Sequence, residues 1–258
     1  MKMATTIKFT KSKKFNEAVL FTGLPGIGLV GKICVDYMLK QFKAEKIAEI
    51  YSDFFPPSVQ TENGLVELIK DELHYFSADG KDYIFLSGPV QPALDSRAGS
   101  MQEHFEFSGA IINSLKPLGL VEVCTLAGIN VGDRRMHFEP RVVVASTGKK
   151  KLEEWKKLGA ISDRPVGLIS GVAGLLLGLG KEQGIEGSCL MGETNSRLVY
   201  GDPGAAQKVV ELLIKRFGFK IDMTKMEQEA KEIEKAFADL SKQFEDPDDK
   251  PSNLSYVR

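Results

Sequence analysis

The chain has 258 residues, of which 43% are hydrophobic, enough to form one large α/β domain or two small ones. Its 34 Lys and Arg residues balance 35 Asp and Glu residues, so no basic field attracts nucleic acid or an anionic membrane. No run approaches the ~20 apolar residues of a membrane span and no signal-peptide core follows the first residues, so we expect a cytoplasmic protein without nucleic-acid or membrane partners.

Apolar runs bounded by glycine or proline alternate with helical patterns along most of the chain. This alternation predicts an α/β fold with a mostly parallel sheet flanked by helices. Strands are expected at residues 18–22, 46–54, 65–70, 73–78, 82–87, 121–127, 141–146, 166–171 and 188–191. Helices are expected at residues 29–42, 100–116, 150–158, 172–179 and 203–217. The two short strands on either side of Asp71-Glu72 are interpreted as a hairpin.

A last helix, within residues 222–245, follows the α/β core domain predicted for residues 1–221. Its apolar residues recur with a 4-3-4-3-4 spacing, which is typical of a coiled-coil seam. We take this seam as the candidate oligomerisation surface, although a terminal helix can also dock on its own domain by such a strip. The seam consists of Met226, Ala230, Ile233, Phe237, Leu240 and Phe244.

Residues 246–258 are predicted to be a disordered tail. The first part of this tail is charged and interrupted by Pro247 and Pro251, and it has too few apolar residues to fold. An apolar and aromatic cluster follows, at Leu254 and Tyr256-Val257-Arg258. Such a cluster after a flexible linker is typical of a tethered peptide ligand, although apolar residues also occur in frayed termini.

A glycine-rich loop follows the first predicted strand, with Gly26, Gly28 and Gly31 in a GxGxxG pattern. The same residues with Lys32 nearly form a P-loop, but Ile33 stands where a Ser or Thr hydroxyl would hold Mg²⁺. ATP or GTP hydrolysis is therefore not expected. A lone GxGxxG between a strand and a helix fits dinucleotide binding, but it is a weak signal, and a turn that lets the helix pack closely on the sheet is the favoured interpretation.

The sequence offers no assembled set of catalytic residues. Its three histidines, at 74, 104 and 137, occur in no zinc or iron motif, and no GxSxG is present. The segment 128–135 has glycines and two arginines that could hold an anion, but it has no accompanying base or nucleophile. The three separated cysteines are expected to be buried and reduced.

Five motifs together resemble the proteasome assembly chaperone family, in the family's order and across most of the chain. They are GLPGIGLVGK at 23–32, FFPP at 54–57, SGVAGLLL at 170–177, LMGET at 190–194 and DPGAA at 202–206. The chain is similar to an archaeal member. The resemblance implies a fold like that of nucleoside phosphorylases and hydrolases without their catalytic apparatus, no cofactor, and a structural role for the glycine loop.

The resemblance also implies a homo-oligomer whose partners are the α-subunits of the proteasome core particle. Proteasome-binding proteins of this kind often dock by a C-terminal hydrophobic-tyrosine-any triplet. Here the triplet is Tyr256-Val257-Arg258, with tyrosine one place too early. The candidate docking residues are these three and Leu254. The alternative function is a nucleotide- or nucleoside-binding enzyme that uses the Gly26 loop.

Overall fold

The computed structural model describes residues 4–11, 13–92, 102–162 and 166–244 of the chain. The α-helices in these ranges are α1 (Val30–Phe42), α2 (Gln102–Leu115), α3 (Arg134–His137), α4 (Lys149–Leu158), α5 (Gly171–Glu182), α6 (Pro203–Phe217) and α7 (Thr224–Phe244). The strands are β1 (Thr5–Phe9), β2 (Ala18–Thr22), β3 (Glu45–Ser52), β4 (Val59–Glu62), β5 (Leu65–Leu68), β6 (Asp71–Ala78), β7 (Lys81–Ser87), β8 (Leu120–Asn130), β9 (Val142–Ser146) and β10 (Glu186–Thr194).

Eight of these strands form one sheet in the order β1-β3-β6-β7-β2-β8-β10-β9. The four strands β7-β2-β8-β10 run parallel. The strands outside them pair antiparallel. The prediction of a mostly parallel sheet therefore holds for the centre of the sheet, and the sheet as a whole is mixed.

Helices cover both faces of the sheet, which explains why the central strands are apolar throughout. All five residues of β2 are buried. Ala18 and Leu20 face the core shared with α2 and α5, whereas Val19 and Phe21 face the core shared with α1 and α6. Strand β2 thus supplies alternate side chains to two separate cores, as the two-residue period of a strand requires.

The hairpin predicted at residues 65–70 and 73–78 is wrong. Strand β5 pairs instead with β4 in a separate two-stranded sheet, and β6 pairs with β3 and β7. The real turns are Asn63-Gly64 and Asp79-Gly80, whose four residues all have positive φ. Asn-Gly and Asp-Gly are the sequences that a tight two-residue hairpin turn prefers, so both turns could have been predicted from the sequence.

The strand predicted at residues 166–171 is also wrong. Residues 166–170 pair with no strand, and Gly171 begins α5 with a φ of +73°. Val166 and Ile169 still pack against the core. This short apolar segment packs against the core as a loop. The apolar pattern alone does not distinguish a buried loop from a buried strand.

Asp71 is a fully buried carboxyl group at the first position of β6. It lies against Gly88, where any larger residue would overlap its side chain. Neither carboxyl oxygen makes a hydrogen bond of standard geometry to a described residue. Burial raises the pKa of Asp71 well above its ordinary value, against the opposing effects of the Val90 backbone amide and the Lys32 charge.

Replacing Asp71 by Asn should therefore stabilise the fold at neutral pH. The native state retains the Asp71 proton above pH 4 while the unfolded chain releases it, so native stability falls as pH rises through this window. The neutral amide of the variant would remove that loss. We expect the melting temperature of the variant to exceed that of the wild type increasingly from pH 4 to pH 8, with roughly 2–4 °C for each kcal/mol recovered.

The matched control is Asp79→Asn, which changes an exposed turn residue and should leave the pH dependence of the melting temperature unaltered. Parallel melting curves for wild type and Asp71→Asn across this pH range would contradict the account of the buried carboxyl group.

Candidate functional site

The candidate site lies at the carboxyl edge of the sheet, which we define as the edge where β2, β7, β8 and β10 end. Binding sites of open α/β sheets usually occupy this edge. The glycine-rich loop follows β2 there and leads through a short turn into α1. The prediction that a strand enters this loop and a helix leaves it is confirmed.

Two of the three predicted loop glycines are required by close packing. A side chain on Gly31 would overlap the carbonyl oxygen of Leu126 in β8. A side chain on Gly28, which has a φ of +59°, would overlap Thr194 at the end of β10. Gly26 is different, because it is exposed and extended and has only the Leu24 oxygen, 4.0 Å away, near its missing side chain.

The lysine of the near-P-loop is engaged within the protein. Lys32 Nζ donates to Asp36 Oδ2 over 2.8 Å and to the Gly88 carbonyl oxygen over 3.3 Å. Ile33, at the position of the missing hydroxyl, packs beside Gly201. Both side chains thus contact neighbouring parts of the protein. Lys32 is engaged where an NTPase would bind phosphate, and Ile33 has no hydroxyl group for Mg²⁺.

A cavity of about 330 Å³ opens between this loop, the ends of β2, β8 and β10, and the start of α5. Its lining is mostly apolar, with Leu24, Ile129 and Met191 among the contributing side chains. Gln91 closes one side by donating to the Pro25 carbonyl oxygen over 2.7 Å. No charged side chain of the described residues lines it, so this part of the chain supplies neither a general acid or base nor a counter-charge for a phosphate.

A buried ion pair lies beside the glycine loop at this edge. Arg135 donates to both carboxylate oxygens of Asp202, with Nε–Oδ2 and Nη2–Oδ1 distances of 2.8 Å, and both side chains are fully buried. Asp202 also accepts hydrogen bonds from Thr194 Oγ1 and the Ala205 amide. The interpretation of segment 128–135 as an anion-binding loop is therefore wrong for Arg135, because this side chain is buried and paired with Asp202.

This pair connects the sequence motifs to one another. The amide of Asp202 donates to the Gly28 carbonyl oxygen over 2.8 Å, and Thr194 contacts both residues. Asp202 is the N-cap of α6, and Pro203 occupies its first turn. Removing one partner of a buried ion pair costs about 3–5 kcal/mol, so the loop geometry depends on both.

A second ionic cluster lies beside it around Glu193. Arg141 donates to Glu193 through its guanidinium group, with an Nη2–Oε1 distance of 2.8 Å, and Arg134 Nη1 lies 3.5 Å from the same oxygen. Burial raises the pKa of Glu193, but the Arg141 hydrogen bonds outweigh it and the net effect is a lowered pKa. Glu193 is thus held as an ion and makes a poor proton donor.

Burial dominates the pKa shifts of the described cysteines and of His104. Cys34, Cys124 and Cys189 are all buried, as predicted, and burial raises the pKa of the Cys189 thiol to about 11. Burial lowers the pKa of His104. In the described part of the chain, no three His, Cys, Asp or Glu residues are grouped to hold a metal ion. Within the same ranges, no helix is long and apolar enough to cross a membrane.

The predicted seam of α7 begins inside the protein's own core. Met226 is fully buried and Ala230 is 5% exposed, and Met226 joins the core formed with α1 and α6. Ile233 is half-buried. The side chains of Phe237, Leu240 and Phe244 lie outside the described residues, and so do Leu254, Tyr256, Val257 and Arg258 of the tail.

The loop glycines yield a matched pair of substitutions. Gly31→Ala should destabilise the protein by about 1–3 kcal/mol, because its methyl group must push α1 away from the backbone of β8. Gly26→Ala should change the free energy of unfolding by less than about 0.5 kcal/mol, because its site is open and its φ suits any residue. Denaturant unfolding of both variants measures the difference, and equal losses would contradict this packing.

Comparisons with known proteins place this geometry in a family. A model described as the PAC2 family matches residues 20–241. The uncharacterized protein MJ1210 of Methanocaldococcus jannaschii is 33% identical over 242 residues, which are 93% of this chain and 89% of that protein. The crystal structure of Pyrococcus furiosus PbaB, an archaeal proteasome activator, is 33% identical, covers 93% of this chain and 100% of that chain, and has a TM-score of 0.83.

A second Pyrococcus furiosus protein shares the fold. PbaA, an archaeal homolog of proteasome-assembly chaperone, is 24% identical in its monoclinic crystal form, covers 93% of this chain and 92% of that chain, and has a TM-score of 0.70. The family match includes all five motifs, and the motifs at 23–32, 190–194 and 202–206 meet at Gly28, Thr194 and Asp202. This chain therefore belongs to the PAC2 family, the proteasome assembly chaperone family that its motifs resemble.

Proposed function

We propose that this chain is a non-enzymatic proteasome-binding factor, an assembly chaperone or activator that docks on the α-ring of the core particle. The observation that carries the proposal is the 33% identity to an archaeal proteasome activator across 93% of this chain and the whole of that one. The glycine-loop cavity, whose described lining is uncharged, supports a function in binding rather than catalysis.

The proposed mode of action is multivalent docking by a homo-oligomer. Helix α7 is attached to the body by Met226 and Ala230, and its seam continues in the sequence through Ile233, Phe237 and beyond. These later positions would meet another subunit. Several weak tails on one oligomer raise the effective concentration at the ring, and avidity can then exceed each single affinity by about 10²–10⁴-fold.

The tail is proposed to make the direct contact with the α-ring. Its candidate residues are Leu254, Tyr256, Val257 and Arg258. A buried aromatic residue is a frequent energetic anchor of an interface, and the preceding polar linker leaves the segment free to reach a pocket. Helix α7 and its flanking residues, with ten acidic residues and five lysines between 222 and 250, would carry these tails away from the body.

The nucleotide- or nucleoside-binding alternative lacks support at its own site. Gly28 and Gly31 are used for packing, and Lys32 is paired with Asp36. The Lys32 ammonium group, which would have to bind a phosphate, instead donates hydrogen bonds to Asp36 and to the Gly88 carbonyl oxygen. The glycines and the lysine that resemble a nucleotide-binding loop are therefore explained by the close packing of this turn.

The docking proposal is tested by measuring the affinity of the full chain for purified archaeal core particle that is immobilised on a sensor surface. Deleting residues 256–258 should weaken binding by about tenfold or more, since a single aromatic anchor is worth ~2 kcal/mol. Val257→Tyr, which supplies the familiar penultimate tyrosine, should strengthen binding. Ser252→Ala in the linker is the matched control and should leave the affinity unchanged.

Two outcomes would contradict parts of this proposal separately. If the full chain shows no saturable binding to the core particle, the proposed function is wrong. If the full chain binds, and the deletion and Val257→Tyr variants bind equally well, then the body or α7 carries recognition and the tail does not.

A further inference from the structure

Exposed apolar side chains are concentrated at the carboxyl edge of the sheet. Strand β3 runs antiparallel to β6, which runs antiparallel to β7, so the β4–β5 hairpin that follows β3 leaves the sheet at the same edge as the glycine loop. The exposed large apolar residues of the loops and hairpin at this edge are Ile27, Val59, Leu65, Val66, Leu68, Phe138, Leu168, Val199 and Tyr200.

The β4–β5 hairpin has one apolar face that the described residues leave mostly exposed. Val59 lies opposite Leu68 and Thr61 lies opposite Val66, and directly opposed residues share a face. Val59 is 51% exposed, and Val66 and Leu68 are each 66% exposed. A two-stranded hairpin is marginally stable by itself in water, so this face is expected to gain a partner.

Charges tie the base of the hairpin to the body. Glu67 pairs with Lys70 over 3.1 Å, and Lys70 also pairs with Glu49 of β3 over 3.0 Å. Hydrogen bonds from Lys46, Lys70 and Tyr51 lower the pKa of Glu49 to about 2, so this link persists across the physiological pH range. Val59 and Leu68, at the base of the apolar face, line an open groove with Tyr51, and the rest of the face stays exposed at Val66.

The amount of exposed surface fits a subunit interface. Leu65 lies on the other hairpin face, and the eight remaining side chains, mostly half to fully exposed, present about 500 Å² of apolar area, if a complete Val or Leu side chain contributes ~60–120 Å². A stable interface buries about 800 Å² per partner, of which about 60% is apolar. The hairpin face alone is too small, and the whole edge is sufficient.

The helix α7 brings a second apolar element to the same edge. Its residues Glu227, Ala230 and Lys231 lie beside Gly204, in the first turn of α6, and beside Pro140. The helix continues for 13 further residues, about 20 Å, while the apolar seam goes on in the sequence at Phe237, Leu240 and Phe244. One chain thus carries two apolar elements that two copies can exchange, as homo-oligomeric interfaces do.

We propose that the apolar face of the β4–β5 hairpin is buried against a second copy of this chain. This inference rests on the proposed function, because multivalent docking requires an oligomer, and it names the surface that forms it. The Val66 and Leu68 side chains would lose their contact with water at the subunit interface. Thr61, opposite Val66 on the paired strand, would be covered at the same time.

Cysteine labelling tests the proposal directly, because the three native cysteines are buried. Thr61→Cys places a thiol on the apolar face, and Gln60→Cys places one on the opposite face of the same strand, where both native residues are exposed. With purified protein at a total concentration about fifty times the dissociation constant of the dimer, about a tenth of the chains are monomeric, so maleimide should label the Thr61→Cys variant about tenfold more slowly than at high dilution. Labelling of the Gln60→Cys variant should not depend on concentration.

A second pair of variants covers the case in which labelling perturbs the hairpin. Leu68→Asp should lower the mass measured by light scattering at a fixed concentration and raise the dissociation constant at least tenfold, because a carboxylate would be buried without a partner. Leu65→Asp, on the other face and 72% exposed, is the control and should leave both values unchanged. Circular dichroism confirms that both variants remain folded.

Equal labelling of the two thiols at every concentration, or unchanged mass of Leu68→Asp, would overturn the proposal. Protection of the Thr61→Cys thiol that develops only when core particle is added would also overturn it and would assign the face to the core particle. Loss of core-particle binding by an intact oligomer would instead count against the proposed function, so the two failures are distinguishable.

Discussion

Backbone packs directly on backbone where helix α1 meets strand β8. Gly31 of α1 lies on the Leu126 carbonyl oxygen, and Gly23 lies on Gly31, with no side chain between them. This close approach brings Gly28 against Thr194 and lets the Gly28 carbonyl oxygen accept from Asp202. The positions of the glycine loop, the start of α6 and the wall of the cavity all depend on it. A residue larger than glycine would separate the helix from the sheet and move all three together.

The polar groups at this edge serve the same packing. The Arg135–Asp202 pair is buried and bidentate, and it ties α3 to the start of α6. Glu193 is held ionised by Arg141. Charges that are satisfied in this way orient elements and have little capacity to transfer protons or bind a phosphate. The cavity at this edge is lined by uncharged, mostly apolar side chains, and several exposed apolar side chains surround it, which suits contact with protein surfaces.

Much of the fold could be predicted from local patterns, because strand and helix periodicity and the Asp202-Pro203 cap are local. The predicted hairpin is wrong because apolar runs alone do not position a turn, whereas the Asn63-Gly64 pair is a specific indicator of one. The antiparallel outer strands depend on long-range pairing that one sequence does not reveal. The burial of Arg135 could not be predicted either. Its partner Asp202 lies 67 residues away, and the residues around Arg135 do not distinguish a buried arginine from an exposed one.

The central claim is that this chain acts through its surface, with the glycine loop as a packed structural element. Hydrogen–deuterium exchange of the purified chain with and without core particle tests it most directly. We expect slower exchange in the tail, residues 246–258, on binding and no change in residues 23–31. Slower exchange in residues 23–31 with residues 246–258 unchanged would contradict this proposal, because the loop and its cavity would then be the site that the partner uses.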